Sequence, residues 1–407
     1  MISEIKRVYH KRVILMRDQA LKAFAELDNY CKSEGYQGWD PYDGLSSKLF
    51  QATPLLPKRR LTRLIWIQLI KKSPVNLRQI LKIDKGFNPK GVALFISGYA
   101  KLSAIESCRN ESIESINFLA KKLIFLRTSG FSGNCWGYNF DWESRAFFQK
   151  KNTPTIVATT YAANALIDAY EATKKEHYLE TAISSKDFIL NDLKRTYNEN
   201  GNFAFSYSPY DQTSVFNASL LGAKLLSRIY SYTNEIDLVE LARQAVAYCC
   251  HFQNSDGSWY YSNLPFHRWT DNFHTGFNLE CISDYSRYSK DNSFLFYLNK
   301  GMDYYLDNFF DHEGRSKYYN NSLYPIDIHS PSQLIITLSK TNLFEKKMDL
   351  IDKVLRWTIK NMQSSKGYFY FQKRKFYTNK IPYMRWAQAW MFYALSTYLL
   401  NSEKKND

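Results

Sequence analysis

Small and apolar residues fill several long stretches of the chain almost without a polar break. TIVATTYAANALIDAY (155–170), SVFNASLLGAKLLSRIY (214–230), DNFHTGFNLECISDY (271–285), DIHSPSQLIITLSK (327–340) and YMRWAQAWMFYALSTYLL (383–400) are five of them. Between them run segments whose apolar residues recur every three or four positions beside a charged face. EHYLETAISSKDFILNDL, EIDLVELARQAVAYCCHFQ and EKKMDLIDKVLRWTIKNMQ are examples. The second pattern is that of an amphipathic surface helix; the first is that of a helix enclosed by protein.

The alternation is periodic. A Gly-plus-aromatic turn recurs at Gly133, Gly201, Gly257, Gly314 and Gly367, at intervals of 68, 56, 57 and 53 residues. Aligning the enclosed helices makes Thr160, Asn217, His274, His329 and Trp386 equivalent, at intervals of 57, 57, 55 and 57. Repeats of this length are supersecondary units that bury their apolar faces against neighbours. Inner helices are predicted to start near 89, 154, 213, 271, 328 and 384, and outer ones near 10, 104, 177, 236, 293 and 345. Six of each predict an all-α (α/α)6 toroid of six helical hairpins over 1–407, with short β ribbons at FAFSY, SWYY and YFYF in the rim loops. The count stops at six, which favours a closed ring over an open solenoid. An insertion at about 35–88 interrupts the first pair. The loops before the inner helices should project at one end, and that end should carry the site.

Composition sharpens the picture. Of 407 residues, 31 are Tyr, 27 Phe and 9 Trp, more than a core alone needs and suited to stacking on sugar rings. With 54 Lys+Arg against 39 Asp+Glu the net charge is +15. Its densest stretch, 58–85, interleaves Lys58, Arg59, Arg60, Arg63, Lys71 and Lys72 with Leu61, Ile65, Trp66 and Leu69. That is either a solvated helix face or a segment able to lie on anionic lipid. No nucleic-acid-binding signature accompanies it, so no nucleic-acid partner is expected. The charged N-terminus lacks the apolar core of a signal peptide. The six cysteines form no C-x-x-C pair. A cytoplasmic location follows as the expectation, with or without peripheral membrane contact.

The loops before the inner helices hold the candidate chemistry. One carries Trp136, Asp141, Trp142, Glu143 and Arg145, the next Tyr207 and Asp211. The third carries His267, Trp269, Asp271 and His274, the fourth Tyr324, Asp327 and His329, the last Tyr383, Arg385 and Trp386. GWDPYDGL in the insertion adds Asp43. Aromatic faces stack on sugar CH groups while Asp and Arg grip hydroxyls. The aromatics (Trp136, Trp142, Tyr207, Trp269, Tyr324, Tyr383, Trp386), with Arg385 and Asp43, are therefore expected to bind substrate.

Asp271 and Asp327, with Asp141 as a third, are acid/base candidates for glycosidic cleavage; plain helix capping competes for each. His274 and His329, at matching repeat positions, could move a proton on and off a sugar carbon from opposite faces. In that reading Tyr324 or Tyr383 assists. Arg385 either holds a substrate carboxylate or pairs with an Asp of the ring. No H-E-x-x-H, P-loop, G-x-G-x-x-G or G-x-S-x-G occurs, and neither metal nor cofactor is expected. FQNSDGSW (252–259) looks like the packing motif of triterpene-cyclase toroids, but the D-x-D-D acid of those enzymes is missing.

GWDPYDGL, NPKGVALF, CWGYNFDW, DNFHTGFNLE, YPIDIHSPSQ and IPYMRWAQAWMFYAL together resemble a six-hairpin glycosidase-like family from prokaryotic surface-polysaccharide loci, over roughly 35–400. Members are sometimes labelled delta-aminolevulinic acid dehydratase, although nothing here alternates strand and helix as that barrel would. The resemblance implies a role in making or modifying a capsule, O-antigen or other glycan, with a sugar or glycan substrate, lipid-linked or free. Three functions are expected in order: glycosidase-like chemistry, a His-pair sugar epimerase or uronate lyase, and a non-catalytic glycan-binding or scaffold protein.

Overall fold

The computed structural model describes residues 2–144 and 147–403. Its helices alternate as the periodicity predicts. The inner set is α3 (Pro89–Leu102), α5 (Ile156–Thr173), α7 (Phe216–Thr233), α9 (Asn272–Ser289), α11 (His329–Lys340) and α13 (Ala389–Glu403). The outer set is α1 (Ile2–Ser33), α4 (Arg109–Phe125), α6 (Glu176–Ile183), α8 (Ile236–His251), α10 (Leu295–Phe309) and α12 (Met348–Met362). The insertion adds α2 (Arg60–Lys72), preceded by a single helical turn at Lys48–Gln51.

Local chemistry fixes where the inner helices begin. Asn88, Thr155 and Asp271 each accept backbone N–H bonds from the first turn of α3, α5 and α9, satisfying donors a helix start leaves open. The helices α5, α7 and α9 each end on a residue in the left-handed region, Lys174, Asn234 and Lys290, which turns the chain into the next outer helix. Each inner helix packs on two inner neighbours, and α13 returns to α3, so the ring is closed. In its middle Lys224 is ion-paired with Glu280 and lies 3.0 Å from Asp284, a charged plug whose members are all buried.

The Gly turns clasp one hairpin to the next. A Cβ on Gly257 would meet the Lys300 carbonyl at 2.4 Å, one on Gly314 the Lys353 carbonyl at 2.6 Å, and one on Gly367 the Glu26 carbonyl at 2.2 Å. Only glycine allows the backbone so close, and all three also have positive φ. Gln253 Nε2 donates to the carbonyls of Gly257 (3.0 Å) and Tyr297 (2.9 Å), and Gln363 Nε2 likewise to Gly367 (3.0 Å) and Ala23 (2.9 Å). FQNSDGSW is thus a packing device. The last clasp, from residues 363–367 onto α1, shuts the ring.

The ribbons differ in part from expectation. FAFSY contributes 203–205 to an antiparallel pair with 195–197. SWYY forms no ladder: Trp259 is buried, its indole N–H donating to Cys249 of α8 at 3.0 Å, so anchoring replaces strand pairing. YFYF gives a single bridge, Gln363 to Phe369, and the ladder lies just beyond it, where 372–373 pairs with both 326–327 and 378–379. A ribbon at 142–143 and 148–149 was not foreseen.

Candidate functional site

A cavity of about 350 Å3 opens among the loops that precede the inner helices, at the end where the repeat geometry places them. The repeat-equivalent residues Asn217, His274, His329 and Trp386 all line it; Thr160 does not. Its walls are aromatic. Trp142, Tyr207, Trp269 and Trp386 are there as expected, joined by Tyr42, Tyr138, Tyr261 and Tyr318. Tyr261 stacks on Trp269 (4.9 Å, 13°), and the hydroxyls of Tyr138 and Tyr207 are 3.0 Å apart. Flat faces and phenolic hydroxyls together suit a ring with apolar CH faces and polar edges.

Three histidines line this cavity: His267, whose Nδ1 is 2.8 Å from Ser262 Oγ, and two on adjacent inner helices, His274 and His329. His274 lies in the first turn of α9, with Nδ1 2.7 Å from Asp271 Oδ2. Asp271 Oδ1 caps the helix by accepting the His274 N–H (3.0 Å), and Oδ2 also accepts the Trp269 indole N–H (3.1 Å). A carboxylate on Nδ1 fixes the tautomer and leaves Nε2 as the nitrogen to serve the cavity. His329 opens α11 and is buried. Its ring lies parallel to Phe273 (4.4 Å, 1°) and packs on Trp390 (4.1 Å) and Trp386 (5.3 Å). Among the described residues neither of its nitrogens has a hydrogen-bond partner. Burial pushes its pKa well below the ordinary histidine value, and Lys90, His274 and Arg385 push the same way. Phe273 touches both imidazoles, at 4.5 Å from His274 and 4.4 Å from His329.

Lys90, in the first turn of α3, was not singled out from the sequence. It is buried, lines the cavity, and holds its ammonium over Tyr161 (4.2 Å), Phe277 (5.1 Å) and Trp390 (5.2 Å). Burial lowers its pKa well below the ordinary lysine value and the nearby Arg385 lowers it further. The available signal was a lysine in the first turn of a mostly apolar inner helix, within NPKGVALF.

Several expected residues sit behind the wall. Asp327 is buried and fully engaged: it accepts the His329 N–H (3.0 Å), the Trp386 indole N–H (2.9 Å) and Gln372 Nε2 (2.5 Å). It therefore holds Trp386 and His329 in place without lining the cavity. Asp141 accepts the Lys151 N–H (2.6 Å) outside it. Asp43 pairs with buried Arg78 (2.8 Å) and fastens the insertion. Trp136 is core, bonded to the Leu123 carbonyl (2.7 Å). Tyr383 is buried beneath the Arg78 guanidinium (4.7 Å). Tyr324, preceding a cis proline, is not among the lining residues. Arg145 lies outside the described residues.

Arg385 does line the cavity, and the structure decides its partner: Nε and Nη2 grip Asp40 of the insertion at 2.5 and 2.8 Å. The one carboxylate among the cavity-lining residues, Glu143, is bound by Arg63 at 2.6 Å. Among the described residues no group of His, Cys, Asp and Glu is arranged to hold a metal ion, and no helix is long and apolar enough to cross a membrane.

Solved structures share this architecture. A cellobiose 2-epimerase from Bacillus thermoamylovorans B4167 superposes with a TM-score of 0.61 at 10% identity, covering 79% of this chain and 90% of its own. An unsaturated glucuronyl hydrolase specific for heparin gives 0.62 at 10% identity, over 96% and 98%. A GH76 alpha-mannanase from Bacteroides thetaiotaomicron gives 0.58 at 13%, over 79% and 88%. No protein-family model and no curated protein sequence matches the chain. At such identities the likeness shows the fold alone, an (α/α)6 toroid.

Proposed function

We propose that the protein is a sugar-processing enzyme of the epimerase type, working by proton transfer between His329 and His274. The observation that carries this reading is that two imidazoles flank one phenyl ring in an aromatic cavity, while the carboxylates nearby are engaged. Asp271 serves His274 and Trp269, Glu143 serves Arg63, and Asp327 serves three donors. Hydrolysis needs an acid and a base carboxylate facing the glycosidic oxygen, which this arrangement supports less well.

His329, held neutral by burial, takes the proton from the carbon next to a sugar carbonyl. The electron pair moves into an enolate beside the Lys90 side chain. His274, backed by the Asp271 carboxylate, returns a proton to the opposite face. In the reverse direction the two rings exchange roles, and exchange with water resets them. A cellobiose 2-epimerase among the similar folds supports the reaction class. The motif resemblance supports a place for it in making or modifying a surface glycan, on a lipid-linked or free sugar.

The test is proton NMR of the protein with reducing mono- and disaccharides in D2O. Deuterium entering one ring carbon with inversion and without cleavage is the expected result. New reducing ends would move the assignment to hydrolysis, and an alkene signal to elimination.

A further inference from the structure

We infer that α2 and the hairpin 372–379 form a docking face for an anionic lipid bilayer. The helix has three uses around its circumference. Ile67 and Ile70 are buried against the body of the protein. Leu64, Gln68 and Lys71 line the cavity. Leu61, Ile65 and Leu69, at four-residue spacing and hence on one stripe, stand in solvent; Leu61 is 67% and Leu69 61% exposed. The loop beyond continues the pattern with Val75 and Ile80, which are also exposed. Trp66 takes no part: its ring stacks on Phe50 (5.0 Å, 22°) and its N–H bonds Gly44 (3.0 Å).

The hairpin brings a second apolar tip to the same place. Tyr377 Oη donates to the Lys72 carbonyl (3.2 Å) and Asn379 Nδ2 to the Ser73 carbonyl (2.9 Å), so it abuts the end of α2. At its tip Phe376 is 88% exposed. Lone exposed apolar residues mean little, but here they are set among cations. Lys58, Arg59, Lys72, Lys82 and Lys375 are exposed around them, and 49–83 and 372–380 contain no Asp or Glu. Asp84, just beyond this stretch, is paired with Lys48 (2.8 Å), and Glu143 with Arg63.

Charge selects the occupant. A second copy of this chain would set cation against cation. An acidic polymer would satisfy the charge yet gain nothing from leucine, isoleucine and phenylalanine tips. A bilayer with anionic headgroups takes both, the apolar tips entering the acyl boundary and the cations meeting the headgroups. Docking in this way sets the cavity mouth beside the membrane surface, because the stripe and the cavity-lining positions are neighbouring faces of α2.

The experiment is vesicle flotation of the purified full chain. Vesicles of phosphatidylcholine alone are compared with ones holding about 30 mol % phosphatidylglycerol, at about 50 mM and about 500 mM salt. The protein should float with the anionic vesicles only, and only at low salt. Leu61→Ser/Leu69→Ser/Phe376→Ser and Lys58→Gln/Arg59→Gln/Lys72→Gln/Lys375→Gln should each weaken partitioning about tenfold or more, with unchanged thermal unfolding because every altered side chain is exposed. Failure to float with anionic vesicles at low salt overturns the inference. So does binding that the serine triple leaves intact while the protein binds soluble polyphosphate equally well, which would assign the face to an acidic polymer.

Discussion

Asp271 holds the His274 imidazole at 2.7 Å with one carboxylate oxygen while the other caps the helix on which that histidine rides. One residue thus sets both where the helix starts and which imidazole nitrogen faces the cavity. The two roles separate in Asp271→Asn. Asparagine caps helices as well as aspartate does, so thermal stability should change little. It cannot balance a protonated ring, so kcat should fall on the order of 10²–10⁴-fold. A melting curve beside a deuterium-exchange rate checks both.

His329 presents the opposite case. Its ring has packing but no hydrogen bond to lose. His329→Phe keeps a flat ring against Phe273 and removes two buried, unpartnered nitrogens. Stability should rise by about 1 kcal/mol while solvent exchange into the sugar stops. Denaturant titration and NMR on the same preparation would show whether stability and activity part in this way.

After burial itself, Lys90 bears most on when His329 can act as a base. The ammonium opposes a proton on the neighbouring imidazole. In Lys90→Met that opposition goes, and His329 should take a proton more readily. The acidic limb of the pH–rate profile, below which the base is lost, should therefore move to higher pH. Movement to lower pH would contradict this coupling.

The far side of the ring offers a pH test independent of catalysis. Burial raises the Asp168 pKa, but Arg228 at 2.7 Å, Lys340 and Lys101 outweigh it and bring the carboxyl to about 2. A folded value below the unfolded value of about 3.9 gives stability that is present above about pH 4 and lost as pH falls through about 2. The contribution is about 2 kcal/mol. Asp168→Asn should lower stability at neutral pH and flatten the decline between about pH 4 and 2, as read by urea unfolding.

Arg385 and Asp40 are 345 positions apart and both buried. Asp40→Asn leaves a buried guanidinium half-paired and should cost about 3–5 kcal/mol. Because Arg385 is committed to Asp40, sugars without a carboxylate should be turned over as readily as uronates. A preference for uronates in the wild-type enzyme would show the ion pair opening for substrate.

The ring was legible because a repeat converts sequence register into spatial register. Asn217, His274, His329 and Trp386 could be aligned without coordinates, and they meet in one cavity. Position along a repeat does not say which way a carboxylate turns. Asp327 sits two residues before His329 yet points at Gln372 and Trp386, partners from the next hairpin. Lys90 was passed over because it comes from the first repeat, where the insertion blurs the alignment. Trp136 and Tyr383 lie in aromatic loops like their neighbours; only packing distinguishes a core ring from a cavity wall.

The clasp of Gln363 and Gly367 onto α1 also sets the order in which the molecule can be completed. The bond from Gln363 to Ala23 spans 340 residues, so α1 leaves the ribosome long before the surface that receives it exists. Each hairpin in between can settle on the one before, but the result is an arc with two raw apolar edges until the last hairpin arrives. Ring closure is therefore a late, long-range event in synthesis, of the kind that folds slowly and exposes sticky surface meanwhile. A chain halted before residue 363 would be left as that open arc.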